Sequence, residues 1–371
     1  MAITIKMYVL IFFLVIVAAL AVYYYFSTIN FSHNRAEVSR FFCNIIPPRA
    51  NLKRPVILIP GTKGSLLKEN GETVWLSPWQ LLPGGKPFIY EPEHNNAKPM
   101  GILTRLSIIP GAIEQRFYYG IAAELACSPH AYFFSYDWRE NPVEHVTDLG
   151  ILVEQVRRET GEKPSIIAHS MGGLITHYYM KQHADTVDRV VYVGVPFQPG
   201  LGFLTDIDKG TAVGLNYDIL SREALFSHPG SFALLPHQGS TQYKNQDLMS
   251  SEMWKENELS VYKRNTTDTT MFDHSLEDSL QKAKGFFAAL DLPSPMQNKF
   301  MFVVGNCEDT LYAVSTSGKE EFRPGDGRVV AEGAYPVEKN QLDKTTLTSC
   351  APHHLQLDNK ENIDAILRFL E

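Results

Sequence analysis

Ser165-Ile-Ile-Ala-His-Ser-Met-Gly-Gly173 is the stretch of the sequence that decides the fold. Its first part, residues 165–169, predicts a buried strand, and residues 172–184 have the apolar spacing of a helix. Ser170 therefore lies between a strand and a helix, with a small residue two positions before and after it. Such a tight turn lifts a hydroxyl above the sheet, where the N–H groups of the helix start face a developing oxyanion. We predict that Ser170 is a nucleophile.

Strand and helix patterns alternate along most of the chain. Further apolar runs predict strands at residues 55–60, 131–135, 190–197 and 299–305, and helical spacing predicts helices at residues 142–160 and 363–370. Strands separated by helices predict an α/β fold with a mostly parallel sheet and helices on both faces. Two long stretches, residues 65–110 and 199–297, interrupt this alternation. Stretches of that length are typically functional, so we predict an excursion at the first and a cap insertion at the second.

Composition and charge limit the possible functions. The chain has 371 residues, 44% of them apolar and 20% charged, which is enough for a large core and unlike a disordered chain. The net charge is -7 and no stretch is dense in Lys or Arg, so we expect no nucleic-acid partner. The four cysteines lack the spacing of a zinc site, and we expect neither a metal nor an organic cofactor. The sequence does not indicate an oligomeric state.

The amino-terminal segment carries a membrane signal. Residues 7–26 are apolar and without a charge, and as a helix they span about 30 Å, the hydrocarbon thickness of a bilayer. We predict a transmembrane anchor over residues 1–26, a linker over 27–54 and a catalytic domain over 55–371. A cleaved signal peptide is the alternative, because Ala19-Leu20-Ala21 has the form of a cleavage site. We expect a single-pass membrane protein with its catalytic domain outside the cytoplasm, although the flanking basic residues do not decide the orientation.

A serine nucleophile needs a histidine to accept its proton and a carboxylate to orient that histidine. Asp326 lies on a glycine turn after the last predicted strand and is the candidate acid. Two adjacent histidines follow it in the chain; we select His354, which precedes an apolar segment, and keep His353 as the alternative. The backbone N–H groups of Lys63, in the glycine loop after the first strand, and of Met171 are the predicted oxyanion donors.

Motifs along the whole body of the chain resemble the lecithin:cholesterol acyltransferase family, which includes group-transferring phospholipases A. They are PVILIPGTKGSLL from residue 55, TVWLSPWQLLP from residue 73, SYDWR from residue 135, IAHSMGG from residue 167, VGVPFQPG from residue 193, SFALLP from residue 231, GDGRV from residue 325 and HHLQL from residue 353. The resemblance implies an α/β-hydrolase fold and a triad of Ser170, Asp326 and His354. It also implies substrate contacts through Trp75, Trp79 and Trp138, with residues 65–110 close to a lipid bilayer.

The resemblance further implies a serine esterase that acts on membrane lipid esters through an acyl-serine intermediate, as a lipid O-acyltransferase or a phospholipase. The alternatives are a simple lipase or esterase for another acyl ester, such as an inositol- or lipid-linked one, and a non-catalytic membrane-anchored protein of the same fold. The sequence departs from the family pattern at Ala168, where glycine is usual, and at Cys43, which does not match the family's lid disulfide. Cys307 and Cys350 both lie near predicted site residues, and we expect them to pair.

Overall fold

The computed structural model describes residues 2–26, 28–32, 34–38, 40–45, 52–109, 113–237, 239–263, 269–291 and 296–371. In chain order, the strands are β1 (Asn30–Ser32), β2 (Arg35–Glu37), β3 (Val56–Ile59), β4 (Ser65–Glu69), β5 (Glu72–Trp75), β6 (Lys98–Ile102), β7 (Arg105–Ile109), β8 (Ile113–Arg116), β9 (Ala131–Phe133), β10 (Ser165–His169), β11 (Arg189–Val193), β12 (Lys299–Gly305), β13 (Glu308–Val314), β14 (Glu320–Gly325) and β15 (Asp343–Ser349). The helices are α1 (Ala2–Phe26), α2 (Arg40–Ile45), α3 (Tyr119–Ala126), α4 (Val146–Thr160), α5 (Met171–His183), α6 (Leu204–Lys209), α7 (Arg222–Ser227), α8 (Pro229–Phe232), α9 (Ser251–Glu256), α10 (Thr270–Leu290) and α11 (Lys360–Leu370).

A six-stranded parallel sheet forms the centre of the fold, in the order β15-β12-β11-β10-β3-β9. β10 lies in its interior, with Ile166 opposite Ile57 on one side and Val190 on the other. The near-continuous apolar sequences of the central strands fit this position, because the strands of a parallel sheet are covered on both faces. The predicted α/β fold with a mostly parallel sheet is confirmed.

Helices cover both faces of this sheet, because alternate side chains of each strand point to opposite faces. In β3, Ile57 and Ile59 belong to the core cluster that contains residues of α4 and α5. Val56 and Leu58 belong to the cluster that contains residues of α3 and α11. Since the strands are parallel, their carboxyl ends meet at one edge, where the segments that leave β3 and β10 come together.

The edge strand β15 was not predicted from the sequence, because it contains no run of apolar residues. Its sequence, Asp-Lys-Thr-Thr-Leu-Thr-Ser, is mostly polar and exposed. It lies at the end of the strand order and pairs with β12. An edge strand is only partly covered, so its sequence does not need the continuous apolar pattern by which a buried strand is recognised.

The long insertion between β11 and β12 has a hydrophobic cluster of its own. It contains α6 to α10 in its described part, and its cluster is distinct from the two clusters at the sheet. Phe226 lies near its centre and packs edge-to-face on Phe232 and Trp254, with ring centroids 5.4 and 5.6 Å apart. Such aromatic contacts bury large apolar areas and give the insertion a defined shape.

The segment before β3 differs from the prediction. Within the parts of the chain that the structure describes, no helix combines the length and the apolarity needed to cross a membrane, so the predicted transmembrane helix is not found. The predicted linker is folded in its described part, where it forms the β1–β2 hairpin and α2; residues 27, 33, 39 and 46–51 lie outside the described residues. Phe31 packs on Phe133 with 4.9 Å between ring centroids. The described part of the predicted linker is therefore packed against the catalytic domain and is not a free linker.

Two disulfides join segments that are distant along the chain. Cys307 pairs with Cys350, as predicted, and Cys43 pairs with Cys127, which the sequence did not indicate. The Cys307–Cys350 bond joins the ends of the neighbouring parallel strands β12 and β15. The chain that continues from these two ends carries the candidate acid and the candidate histidines.

Candidate active site

Ser170 lies on a sharp turn between β10 and α5. Its backbone has a φ of 51° and a ψ of -126°, a strained conformation for a residue with a side chain. The loop after β3 approaches this turn closely: a Cβ on Gly61 would lie 2.7 Å from the Ser170 Cβ, and one on Gly172 would lie 2.4 Å from the Pro60 carbonyl oxygen. Glycine at these two positions therefore permits the contact between the turn and the loop.

The structure brings Ser170, His353 and Asp326 into one hydrogen-bonded row. The His353 Nε2 lies 2.9 Å from the Ser170 Oγ, and the His353 Nδ1 lies 2.8 Å from the Asp326 Oδ2. All three residues are buried. In this geometry Nε2 can accept the hydroxyl proton while the Nδ1–H donates to the carboxylate, which is the arrangement that activates a serine.

The histidine of this row is His353, so the selection of His354 is wrong. Residues His353–Leu355 form a turn of 3-10 helix, in which successive side chains point about 120° apart. His354 and Leu355 are exposed, whereas His353 and Gln356 are buried. His354 was selected because it precedes the apolar segment that begins at Leu355, but Leu355 is exposed and the turn directs His353 to the interior.

Four hydrogen bonds hold Asp326 as a carboxylate. Its Oδ1 accepts from the N–H groups of Arg328 and Val329, at 3.0 and 2.8 Å, and its Oδ2 accepts from Gln356 Nε2 at 2.8 Å as well as from His353. Burial raises the pKa of Asp326, but the charge and hydrogen bond of His353 and the two backbone donors outweigh this, and the pKa lies below its usual value. The carboxylate is thus an acceptor only, which keeps the proton of the neutral imidazole on Nδ1.

A second hydrogen-bonded chain links the loop after β3 to the backbone of His353. The His169 Nε2 lies 2.9 Å from the His353 carbonyl oxygen, its Nδ1 lies 2.8 Å from the Tyr118 hydroxyl, and the Gly61 N–H donates to that hydroxyl at 2.8 Å. Burial, and then the charge of His353, lower the pKa of His169 to about 3, so the ring is neutral. Because a carbonyl only accepts, Nε2–H is the donor and Nδ1 accepts from Tyr118. No pattern in the sequence indicated a role for His169, Tyr118 or Gln356.

The loop after β3 carries Lys63, one of the two predicted oxyanion donors. Buried side chains hold this loop in place through hydrogen bonds. Lys63 has a φ of 65°, and its carbonyl oxygen accepts from Trp75 Nε1 at 3.1 Å. The Pro60 carbonyl oxygen accepts from the Tyr136 hydroxyl at 2.9 Å. Lys63 lines the same cavity as Ser170, and Met171 is the buried first residue of α5. Their backbone N–H groups remain the predicted oxyanion donors.

Trp75 and Trp138 are not among the residues that line the cavity at Ser170, so the prediction of substrate contact is corrected for both. Each is 1% exposed, and their rings pack edge-to-face with centroids 5.0 Å apart. Phe88 stacks on Trp75 at 5.8 Å. These two rings therefore support the loop that carries Lys63 from within the core. Trp79, the third predicted contact, does not line this cavity either, and its side chain is 75% exposed.

A cavity of about 340 Å³ contains Ser170 and His353. Phe203, from the long insertion, lines it and packs edge-to-face on the His353 ring at a centroid distance of 5.7 Å, and Phe117 forms another apolar part of the wall. The insertion thus contributes directly to the site. Among the residues that the structure describes, no three His, Cys, Asp or Glu side chains are grouped so that they could hold a metal ion.

The parallel sheet, the serine between β10 and α5, and the acid and histidine that follow it in chain order define the class of α/β hydrolases. A solved structure described as the Tle4–Tli4 complex is similar in fold, with a TM-score of 0.55 and 12% sequence identity over 85% of this chain and 97% of that chain. At this identity the similarity concerns the fold alone.

Within this class, the chain is similar to the lecithin:cholesterol acyltransferase family, whose model matches residues 130–294. The lecithin-cholesterol acyltransferase-like 4 protein of Arabidopsis thaliana is 26% identical over 189 residues, which are 41% of this chain and 35% of that protein. The uncharacterized protein YJR098C of Saccharomyces cerevisiae is 26% identical over 226 residues, which are 55% of this chain and 33% of that protein. The chain matches about one third of the length of these curated relatives. The family resemblance found in the motifs is confirmed.

Proposed function

We propose that this protein is a lipid O-acyltransferase or acyl-ester hydrolase that works through an acyl-Ser170 intermediate. The observation that carries the proposal is the row of side chains in which His353 lies 2.9 Å from Ser170 Oγ and 2.8 Å from Asp326 Oδ2. The cavity beside Ser170 and the similarity to an acyltransferase family support it. That the ester belongs to a membrane lipid is proposed as well.

The mechanism follows from the positions of the three side chains. Ser170 Oγ attacks the ester carbonyl carbon while His353 Nε2 takes the hydroxyl proton, and Asp326 stabilises the imidazolium. The N–H groups of Lys63 and Met171 bind the resulting oxyanion. The bond between the acyl carbon and the alcohol oxygen then breaks, and His353 returns the proton to that oxygen. Water or an alcohol next attacks acyl-Ser170, with His353 again as the base, and the free serine is regenerated.

The acyl acceptor decides between the two activities. Phe203 of the insertion packs on His353, and Phe117 adds a second apolar ring to the cavity wall. Aromatic rings in this part of the wall limit the access of water to an acyl-enzyme on that side, and the family similarity is to acyltransferases, so we place transfer to an alcohol first and hydrolysis second. Hydrolysis of another acyl ester, such as an inositol-linked one, remains the second candidate. Product analysis of one phospholipid donor, incubated with and without a sterol, separates acyl transfer from release of free fatty acid.

Covalent labelling tests the nucleophile. A fluorophosphonate probe, which reacts with activated serines, is expected to label the protein at Ser170. Ser170→Ala is expected to remove the label and to lower the rate to a residual level about 10³- to 10⁴-fold above the uncatalysed reaction in water. Ser317→Ala is the matched control, because Ser317 is an exposed hydroxyl on the hairpin between β13 and β14. Persistent labelling of Ser170→Ala would reject the proposed nucleophile.

We further propose that the protein works at a lipid surface, with its catalytic domain outside the cytoplasm. Trp79, Leu215 and Tyr217 are 75%, 62% and 74% exposed. Their two loops are joined, because the Leu215 N–H donates to the Leu81 carbonyl oxygen at 2.8 Å. Thr211 lines the catalytic cavity and lies four residues before Leu215. The exposed side chains of Leu215 and Tyr217 are therefore close in sequence to the cavity wall. The two disulfides favour an oxidising compartment.

Replacing the exposed ring tests the lipid surface. We expect Trp79→Ser to lower the rate on phospholipid vesicles about tenfold more than the rate on a soluble short-chain ester, since burial of a large side chain contributes roughly 1.5–3 kcal/mol. Phe322→Ser is the matched control, because Phe322 is also an exposed aromatic residue (51%) but lies on β14. Equal losses on the two substrates, or equal behaviour of the two variants, would contradict a role of Trp79 in lipid contact.

A further inference from the structure

The wall of the catalytic cavity carries an excess of positive charge. Lys63, Arg116 and Arg328 line it, and Asp206 is the carboxylate among the described lining residues. Among these lining side chains the positive ones therefore outnumber the negative one by two, although the charge of Arg116 also acts on Asp358 outside the lining, where it lowers the pKa against the effect of burial. A catalytic mechanism that uses only Ser170, His353 and Asp326 does not require these cations.

One carboxylate is shared by two of the cations. Lys63 Nζ lies 3.4 Å from Asp206 Oδ2, and Arg328 Nη2 lies 3.0 Å from Asp206 Oδ1. A single carboxylate neutralises one unit of charge, so the pair Lys63 and Arg328 keeps a net positive charge at a partly buried position. Burial lowers the pKa of Lys63; Asp206 opposes this and Arg328 adds to it. An anion bound beside the two cations would offset the unfavourable desolvation of Lys63.

The third cation lies on another segment of the wall. Arg116 ends β8 and lies over the Tyr119 ring, with its guanidinium carbon 5.6 Å from the ring centroid. The cations thus come from three separate parts of the chain and meet at one cavity. Guanidinium and ammonium groups that converge in this way are suited to phosphate oxygens, which they bind through charge-assisted hydrogen bonds.

The same wall is poorly suited to a quaternary ammonium group. Proteins bind such a group with carboxylates or with an aromatic cage. Asp206 already contacts two cations, and two of the aromatic lining residues are packed edge-to-face on histidines, Phe203 on His353 and Tyr118 on His169. A zwitterionic headgroup would bring its positive end into a cavity with three cations, whereas a headgroup with phosphate alone would bring only negative charge.

We propose that Lys63, Arg116 and Arg328 form a subsite for the phosphate of the acyl donor, and that the preferred donor is a phospholipid whose headgroup has a net negative charge. This inference rests on the proposed function, because the subsite is defined by its position beside the ester that Ser170 attacks. It adds a substrate class that the serine mechanism alone does not specify.

Competition within one vesicle tests the preference without interference from the surface charge. Vesicles contain equal amounts of phosphatidylglycerol and phosphatidylcholine with the same acyl chains, and only one of the two lipids carries a labelled acyl group in each experiment. The ratio of the two label-release rates then reports on the subsite, since both lipids share one surface. We expect the protein to favour phosphatidylglycerol about tenfold: both lipids offer the phosphate, but only phosphatidylcholine brings a quaternary ammonium group close to the cations of the wall. A ratio near one would overturn the proposal.

Variants of the cavity cations test whether they cause the ratio of the two label-release rates. Arg328→Gln is expected to bring the ratio close to one, and Arg328→Lys to restore most of it, because lysine keeps the charge. Arg323→Gln is the matched control: Arg323 lies on β14, is paired with Glu321 and Glu332, and is not among the cavity-lining residues. If Arg328→Gln does not fold, Lys63→Gln takes its place. An unchanged ratio in the folded variant would overturn the subsite.

Failure of the proposed function has a different signature. If the protein is not a serine esterase, neither labelled lipid releases its acyl group and a fluorophosphonate does not label Ser170. If only the subsite is wrong, Ser170 is labelled and both lipids are cleaved at similar rates. The two failures are therefore distinguishable in the same experiment.

Discussion

His353→Gln is expected to lower kcat/KM on a soluble ester by about 10⁴-fold or more. Glutamine can still form hydrogen bonds, but it cannot carry the proton from Ser170 to the leaving alcohol. His353 lies in the path of that proton because its Nε2 is 2.9 Å from the Ser170 Oγ and its Nδ1 is 2.8 Å from the Asp326 Oδ2. The loss is measured as initial rates, with circular dichroism to show that the variant is folded.

His354→Gln is the matched control, since it makes the same change one residue further along. His354 lines the cavity but is exposed, and the ring within hydrogen-bond distance of Ser170 belongs to its neighbour. We expect the rate to fall by less than about tenfold in this variant, as for a group outside the proton path. The assignment would be contradicted if His354→Gln were inactive and His353→Gln active.

The nucleophile could be predicted because its signals are local. A strand, a turn of small residues and a helix follow one another over residues 165–184, and the need for glycine at position 172 arises from the tight approach of Pro60 to this turn. Asp326 could be predicted for a similar reason, since a carboxylate between two glycines marks a tight turn that follows a strand. The structure brings both residues to the same histidine.

The choice between His353 and His354 could not be made from the sequence. The two residues are identical and adjacent, so no spacing or composition separates them. The direction of the 3-10 turn decides, together with the burial of Gln356, whose side chain donates to Asp326 at 2.8 Å. Both are tertiary features, which depend on how the turn packs against the loop that carries Asp326.

Residues that support the site from other parts of the chain carry no local signal. Tyr118 precedes its partner His169 by 51 residues, and nothing near it in the sequence indicates the contact. Trp75 and Trp138 illustrate the opposite error: aromatic rings occur in lipid-binding surfaces and in cores, and only burial separates the two uses. Trp79 lies four residues after Trp75 in the same aromatic stretch, but it is exposed.

Asp326→Asn is expected to lower kcat by about 10⁴-fold while leaving the protein folded. The asparagine oxygen can take the place of Oδ1, because the N–H groups of Arg328 and Val329 require an acceptor there. The amide nitrogen then faces His353 and donates to its Nδ1. The ring must carry its proton on Nε2 in that case, and it can no longer accept the proton of Ser170.

Gln356 makes this variant a clean test of the tautomer. In the wild-type protein Gln356 Nε2 donates to Asp326 Oδ2 at 2.8 Å, while its Oε1 is buried and accepts no hydrogen bond from the residues that the structure describes. A flip of the Gln356 amide lets Oε1 accept from the new asparagine, so no buried donor is left facing another donor. We therefore expect Asp326→Asn to melt close to the wild-type temperature, with Asp309→Asn, an exposed acid on β13, as the control for the loss of one charge. A variant that stays folded and loses less than about tenfold in kcat would show that Asp326 does not orient His353.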